Sequence, residues 1–74
     1  MSKGKGYDVG DEVEWAWGTG TARGRIIAVY TQKRTLRIKG KDITREANRD
    51  VPSYRIDTGS SEAFKSHSEV RKAS

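Results

Sequence analysis

The sequence predicts an all-β fold, a small antiparallel barrel or sandwich of about five strands with a short helical turn near the C-terminus. Two observations support this prediction. Several short segments alternate apolar and polar residues, which is the period of a half-buried strand. Glycine-containing turns separate these segments at close spacing, as in small all-β domains, and no long segment has the 3.6-residue period of a helix.

The first predicted strand is EVEWAW, residues 12–17, followed by a glycine-rich loop at 18–21. Val13, Trp15 and Trp17 share one face of this strand because side chains alternate between the two faces. We expect Trp15 in the core, since it is in phase with Val13. Trp17 adjoins the loop, so the pattern leaves open whether it is buried or exposed.

The second predicted strand covers residues 22–31 and turns from polar to apolar along its length. Gly24 is the expected point of a bulge or bend, because glycine weakens regular strand geometry and often marks a bulge. Shorter extended segments are predicted at 35–39, 43–45, 53–57 and 62–66. Residues 67–71 are expected to form the helical turn, with Ser68 as its N-cap.

A chain of 74 residues has room for one domain. We assign residues 7–72 to the folded unit, residues 1–6 to a disordered N-terminal tail and residues 73–74 to a C-terminal tail. The tail assignment for MSKGKG depends on its lack of apolar side chains. We expect a monomer.

Composition argues against several classes of function. The chain has no cysteine and one histidine, which excludes a disulfide framework and a zinc–thiolate site. We therefore expect a cytoplasmic location and no cofactor or metal. A membrane span is not expected, because no run of about 18 apolar residues occurs. Catalysis is not expected either, since the single histidine, His67, has no recognisable nucleophile–base pattern around it.

Positive charge is concentrated in the middle of the chain. Residues 1–22 have a net charge of −2 and residues 56–74 of 0, whereas residues 23–55 contain ten basic and three acidic side chains, a net charge of +7. Such a segment attracts polyanions, although it could equally serve solubility alone. The candidate nucleic-acid-binding residues are Arg23, Arg25, Lys33, Arg34, Arg37, Lys39, Lys41 and Arg45.

Aromatic residues are the second candidate for a binding site. Trp17, Tyr30 and Tyr54 lie in or near predicted strand ends, and such rings at a barrel rim can stack nucleobases or surround a methylated cation. Arg45 has two interpretations. It could bind a phosphate bidentately, or it could pair with Asp50 or Glu46 and fix the irregular segment that precedes Pro52.

Five short motifs arrive in a fixed order: Gly-Asp-x-Val-x-Trp from residue 10, a glycine series from 18, Lys-Gly-x-x-x-Thr-Arg from 39, Pro-x-Tyr-x-Ile from 52 and Lys-x-His-Ser-Glu from 65. As a set they resemble the hypervirulence-associated Tudor domain family over roughly residues 9–72. The resemblance implies a five-stranded SH3-like or Tudor-like barrel without enzyme activity. Its motif positions here are Trp15, Trp17, Thr44, Arg45, Pro52 and Tyr54.

The sequence thus favours a non-catalytic binding module that contacts nucleic acid through its basic central segment. A peptide- or protein-interaction module that uses Trp17, Tyr30 and Tyr54 is the first alternative. A stabilising protein without a discrete ligand site is the second.

Overall fold

A computed structural model describes residues 6–73 of the chain. Most of the predicted N-terminal tail, and Ser74 of the predicted C-terminal tail, therefore lie outside the described residues. The strands are β1 (Glu12–Trp17), β2 (Gly20–Tyr30), β3 (Arg34–Ile38), β4 (Lys41–Arg45), β5 (Ser53–Asp57), β6 (Glu62–Ser66) and β7 (Arg71–Lys72), with a 3₁₀ turn at His67–Glu69.

Six of these strands correspond to segments that alternate in the sequence, and the predicted all-β class is confirmed. Five strands form one antiparallel sheet in the order β6-β5-β2-β1-β7, and β3 and β4 form a separate hairpin. The hairpin packs on β6 and completes the small barrel. The predicted helical turn is present, whereas β7 was not predicted because two residues are too short to show a period.

The two hairpin turns use backbone conformations that favour glycine. Gly18 begins the β1–β2 turn with φ 57°, as the first central residue of a type II′ turn requires. Lys39 and Gly40 join β3 to β4 with φ 54° and 79°, the pattern of a type I′ turn. Lys39 is thus a non-glycine residue in the left-handed region, and this conformation sets the direction of its side chain.

The core is formed by side chains from β1, β2 and β5, together with the residue that precedes β7. Trp15 is 5% exposed, so its predicted core position is confirmed. Burial of large apolar side chains supplies most of the driving force for so short a chain. The buried cluster contains Val13, Trp15, Ile26, Tyr54, Ile56 and Val70, and Phe64 is buried beside the β3–β4 hairpin.

Gly24 has a different function from the predicted bulge. It pairs in regular register with Val13, and the register shift between β2 and β5 falls between Ile26 and Ala28 instead. A Cβ atom on Gly24 would lie 2.5 Å from Cγ2 of Ile56 and 2.7 Å from the carbonyl oxygen of Asp57. Glycine is therefore needed here because two strands approach closely.

The ends of the folded unit differ in detail from the prediction. Gly6 packs against the ring of Pro52, and the amide of Ala73 donates to the carbonyl of Glu12 at 3.0 Å. The residue before the 3₁₀ turn is Ser66, not Ser68, and its amide donates to the carboxylate of Glu69 at 2.9 Å. Ser68 lies inside the turn, so the N-cap prediction is wrong.

Candidate functional site

The three candidate rim aromatics do not come together. Trp17 lies opposite Gly20, the first residue of β2, whereas Tyr30 is the last residue of that strand. Gly20 and Tyr30 thus lie at opposite ends of β2. Tyr54 lies on the neighbouring strand β5, paired with Val29. Because Tyr54 is fully buried whereas Trp17 is exposed, these three rings do not form a single open cage.

Tyr54 is a core residue, which corrects its prediction as part of the rim. Its side chain is fully buried, and its hydroxyl accepts a hydrogen bond from the amide of Tyr7 at 2.9 Å. The same hydroxyl lies 2.8 Å from Nδ1 of His67. Burial raises the pKa of the Tyr54 phenol above its ordinary value. The Tyr54 ring is part of the core and is not accessible to a ligand, and its hydroxyl finds its hydrogen-bond partners inside the protein.

Tyr30 is half-buried and also has partners within the chain. Its ring packs edge-on against Phe64 with centroids 5.9 Å apart. The guanidinium of Arg34 lies 4.6 Å from the centre of the Tyr30 ring, within the range of a cation–π contact. Tyr30 thus presents a face that a cation of the same chain already covers.

Trp17 is the aromatic side chain that remains open to a ligand. It is 72% exposed, more than any other large hydrophobic residue among those the structure describes. It borders a groove of about 420 Å³, which we call the Trp17 groove. The groove lies between the β1–β2 turn, the β3–β4 hairpin and β6, and its lining includes Trp15, Trp17, Lys39, Ile43, Arg45, Phe64 and Lys65.

Ion pairs neutralise half of the basic central segment. Among residues 6–73, five of its ten cations lie within 4.0 Å of a carboxylate, and three of the acidic partners come from outside residues 23–55. The +7 segment is therefore not a bare basic surface in the folded protein. The pairs are Arg23–Glu14, Lys33–Glu46, Arg37–Asp42, Arg45–Glu69 and Arg55–Glu62.

Arg45 holds two parts of the barrel together. Its Nε donates to the carbonyl of Phe64 at 3.2 Å, and its Nη1 lies 3.0 Å from the carboxylate of Glu69. The interpretation of Arg45 as a structural tie fits these contacts, but the expected partners, Asp50 and Glu46, are wrong. Arg45 lines the Trp17 groove, but its guanidinium already binds the Phe64 carbonyl and the Glu69 carboxylate.

The Trp17 groove contains two cations without an ion pair. Within residues 6–73, neither Lys39 nor Lys65 lies within 4.0 Å of a carboxylate. The acidic residue in the lining, Glu62, is bound to Arg55 at 2.7 Å, and this hydrogen bond raises the pKa of the Arg55 guanidinium. The groove thus combines an exposed indole with two available ammonium groups.

Lys65 was missing from the predicted binding residues. It lies in the C-terminal third of the chain, whose net charge is zero, so the charge pattern gave no signal. Lys39 was predicted, and the structure adds that its turn directs it into the groove. Of the other predicted cations without an ion pair, Arg25, Arg34 and Lys41 lie outside the lining of the Trp17 groove.

The described residues contain no group of three histidine or acidic side chains that could hold a metal ion. His67 directs Nδ1 to the Tyr54 hydroxyl rather than to a nucleophile. A separate search of the same residues finds no helix with the length and apolar character needed to cross a membrane.

The fold and the groove define a small all-β binding module. A scan against protein-family models matches residues 10–70 to the model described as "Hypervirulence associated proteins TUDOR domain". The chain belongs to this family, as the five sequence motifs indicated. Searches of curated proteins and of solved structures found no match in either.

Proposed function

We propose that this protein is a non-catalytic module that binds single-stranded nucleic acid in the Trp17 groove. The observation that carries the proposal is the exposed Trp17 indole beside Lys39 and Lys65, two lysines that form no ion pair with any described residue. An unpaired base stacks on the indole, and the lysines contact the flanking phosphates. Base–aromatic stacking contributes about 1–3 kcal/mol per base.

The charge of the groove favours an anionic ligand over a methylated cation. A cation site of the Tudor type needs several aromatic faces and gains from a carboxylate. Here Tyr30 and Tyr54 lie elsewhere, and the carboxylate of Glu62 is held by Arg55. A methylated lysine would also meet the like charges of Lys39 and Lys65, which disfavours it.

Duplex DNA is a poorer ligand than a single strand for this groove. In a duplex the base faces are stacked on one another, so an indole has no free face to contact. A single strand presents its bases, and proteins bind it with aromatic platforms and a positively charged groove. The proposal thus narrows the predicted contact region from the whole basic segment to Lys39 and a lysine on β6.

The test is a titration of a fluorescently labelled oligothymidylate at two salt concentrations, read by anisotropy. Two phosphate contacts predict a slope of log K against log salt of about −1.4. Trp17→Ala is expected to weaken binding by about tenfold or more, as the loss of one stacked base predicts. Lys39→Gln and Lys65→Gln are expected to reduce the salt slope.

Arg25→Gln is the matched control, since it removes one unpaired charge from a position outside the groove. If this variant weakens binding as much as Lys39→Gln does, the binding is diffuse and the groove proposal fails. If the protein does not bind oligothymidylate but binds peptides, and Trp17→Ala weakens that peptide binding, the result would support the peptide-interaction alternative. A domain that binds neither would support a stabilising protein without a ligand site. We place the module in the cytoplasm, because its lack of cysteine suits a reducing compartment.

A further inference from the structure

The Trp17 groove contains a third cation, and a carboxylate from outside the groove neutralises it. The basic residues of the lining are Lys39, Arg45 and Lys65. Among the residues that the structure describes, the two lysines form no ion pair, whereas Nη1 of Arg45 lies 3.0 Å from the carboxylate of Glu69. Glu69 is not a lining residue. Its charge therefore cancels that of Arg45 without entering the groove.

The carboxylate of Glu69 is held in place by the backbone. Its Oε1 atom accepts a hydrogen bond from the Ser66 amide at 2.9 Å, and the same atom forms the contact with Arg45. Ser66 directly precedes the 3₁₀ turn that ends at Glu69, so this hydrogen bond caps the turn. An anion in the groove must therefore compete with a carboxylate that is already anchored beside the guanidinium.

Arg45 has a second contact that keeps it in the lining without Glu69. Its Nε donates to the carbonyl of Phe64 at 3.2 Å, and Phe64 lies on β6 and also lines the groove. This contact uses no N–H group of Nη1 or Nη2, and these groups are the ones that can bind a phosphate. The side chain of Arg45 is 33% exposed. Without the charge of Glu69, Arg45 would thus present free donors to the groove.

The contact between Arg45 and Glu69 differs from the other ion pairs of residues 6–73. Glu69 is the carboxylate whose cationic partner lines the Trp17 groove. Glu62 has the reverse arrangement, because it lines the groove itself while its partner, Arg55, does not. Loss of the Glu69 charge therefore frees a cation inside the groove, and loss of the Glu62 charge frees one outside it.

We propose that the contact between Arg45 and Glu69 is autoinhibitory, because it keeps Arg45 from a phosphate of the nucleic acid in the Trp17 groove. The inference rests on the proposed function and names a control of the same site. Ion pairs between partly exposed side chains stabilise proteins weakly, so the contact is suited to limiting affinity rather than to holding the fold. Removal of the carboxylate charge adds a third phosphate contact to those of Lys39 and Lys65.

The test compares Glu69→Gln with the unmodified full chain in anisotropy titrations of oligothymidylate at two salt concentrations. Glutamine keeps the size of the side chain and an oxygen that can accept from the Ser66 amide, so the fold should persist. We expect the affinity at low salt to rise about two- to fivefold, the range that exposed ion pairs span. The salt slope should steepen by about 0.7, as one more phosphate contact on a single strand predicts.

Glu46→Gln is the matched control. It changes the net charge by the same amount and frees Lys33, but neither residue lines the groove. An equal gain in affinity from both variants would mean general electrostatic attraction and would overturn the proposal. The gain from Glu69→Gln should also vanish when Arg45→Gln is added. A gain that persists in the double variant would show that Arg45 is not the cation concerned.

The Nε–Hε NMR signal of Arg45 tests the contact with the guanidinium in place and without nucleic acid. Inorganic tripolyphosphate should shift this signal in Glu69→Gln and leave it nearly unchanged in the unmodified chain. If it does so while neither protein binds oligothymidylate, Glu69 masks Arg45 as proposed and the nucleic-acid function fails. If both proteins bind oligothymidylate equally, or if tripolyphosphate shifts the signal equally in both, the autoinhibitory contact is overturned and the proposed function stands.

Discussion

Trp17 and Tyr54 show how two aromatic residues with similar sequence contexts reach opposite environments. Both lie in alternating segments in phase with apolar residues, yet Trp17 is 72% exposed and Tyr54 is fully buried. Trp17 lies at the end of β1 opposite Gly20, which has no side chain to cover the indole. Tyr54 lies on a central strand between β2 and β6.

The contrast teaches that polar partners decide where an aromatic residue can be buried. The Tyr54 hydroxyl lies within 2.9 Å of the Tyr7 amide and of Nδ1 of His67, and these residues are 47 and 13 positions away in sequence. Such long-range contacts leave no local pattern. Among the described residues, Trp17 forms no hydrogen bond and no contact with another aromatic ring, so its indole stays available at the groove.

Tyr54→Ala should give the largest loss of stability. Truncation of a buried aromatic side chain costs about 3–5 kcal/mol, and a domain of this size has a total of about 4–11 kcal/mol. We therefore expect a largely unfolded or marginally folded protein in urea denaturation followed by circular dichroism. A loss below about 1 kcal/mol would contradict the assignment of Tyr54 to the core.

Tyr54→Phe isolates the hydroxyl from the ring. The change leaves the amide of Tyr7 and Nδ1 of His67 without their partner, which costs about 1–3 kcal/mol in a buried site. The measurement is again the free energy of unfolding in urea. As a control, Tyr30→Phe should cost less, because Tyr30 is only half-buried. If the two variants lose equal free energy of unfolding, the buried Tyr54 hydroxyl contributes no more to stability than the half-buried Tyr30 hydroxyl, which would contradict this prediction.

Trp17→Ala should separate binding from stability. We expect the free energy of unfolding to fall by less than about 1 kcal/mol, since the indole is largely exposed. The affinity for oligothymidylate should fall about tenfold or more. Trp15→Ala supplies the reverse control, because Trp15 is buried and its loss should unfold the domain. A strongly destabilised Trp17→Ala variant would make Trp17 a core residue.

Lys39→Gly should weaken binding while leaving the fold intact or more stable. Lys39 adopts φ 54°, a conformation that costs an ordinary residue about 1–2 kcal/mol and glycine almost nothing. The gain is partly offset by the flexibility of glycine in the unfolded chain, so we expect a net rise of at most about 1 kcal/mol. Thermal unfolding and the oligothymidylate titration together check this. A less stable Lys39→Gly variant would contradict the type I′ turn.

The pH dependence of stability should show the smallest effect, confined to alkaline solution. Burial raises the pKa of Tyr54 above its ordinary value of 10.0, so the folded protein holds this proton more tightly than the unfolded chain does. Below that pH both states are protonated, and the phenol changes nothing. As the pH rises further, the unfolded state loses the proton first and stability falls. Comparison with Tyr54→Phe isolates this phenol from lysines and other tyrosines, and identical alkaline slopes would contradict the shift.

The strands could be predicted from the sequence because the alternation of apolar and polar residues lies within each short segment. The six-residue strand at Glu12–Trp17 agrees with its predicted bounds, and the segment at Ser53–Asp57 does as well. Gly24 is different, because its requirement comes from Ile56 and Asp57 on another strand. Likewise, the partners of Arg45 lie on β6 and the 3₁₀ turn, which no spacing between Arg45 and its neighbours could indicate.

The sequence by itself determined the all-β class, most of the strands, the core position of Trp15 and membership of the Tudor-domain family. These follow from alternation within short segments and from an ordered set of motifs. Only the tertiary structure decided which cations of the +7 segment are free, that Tyr54 is buried and that Lys65 joins Lys39 beside Trp17. Exposure and ion pairing depend on residues that are distant in sequence and meet only when the barrel closes.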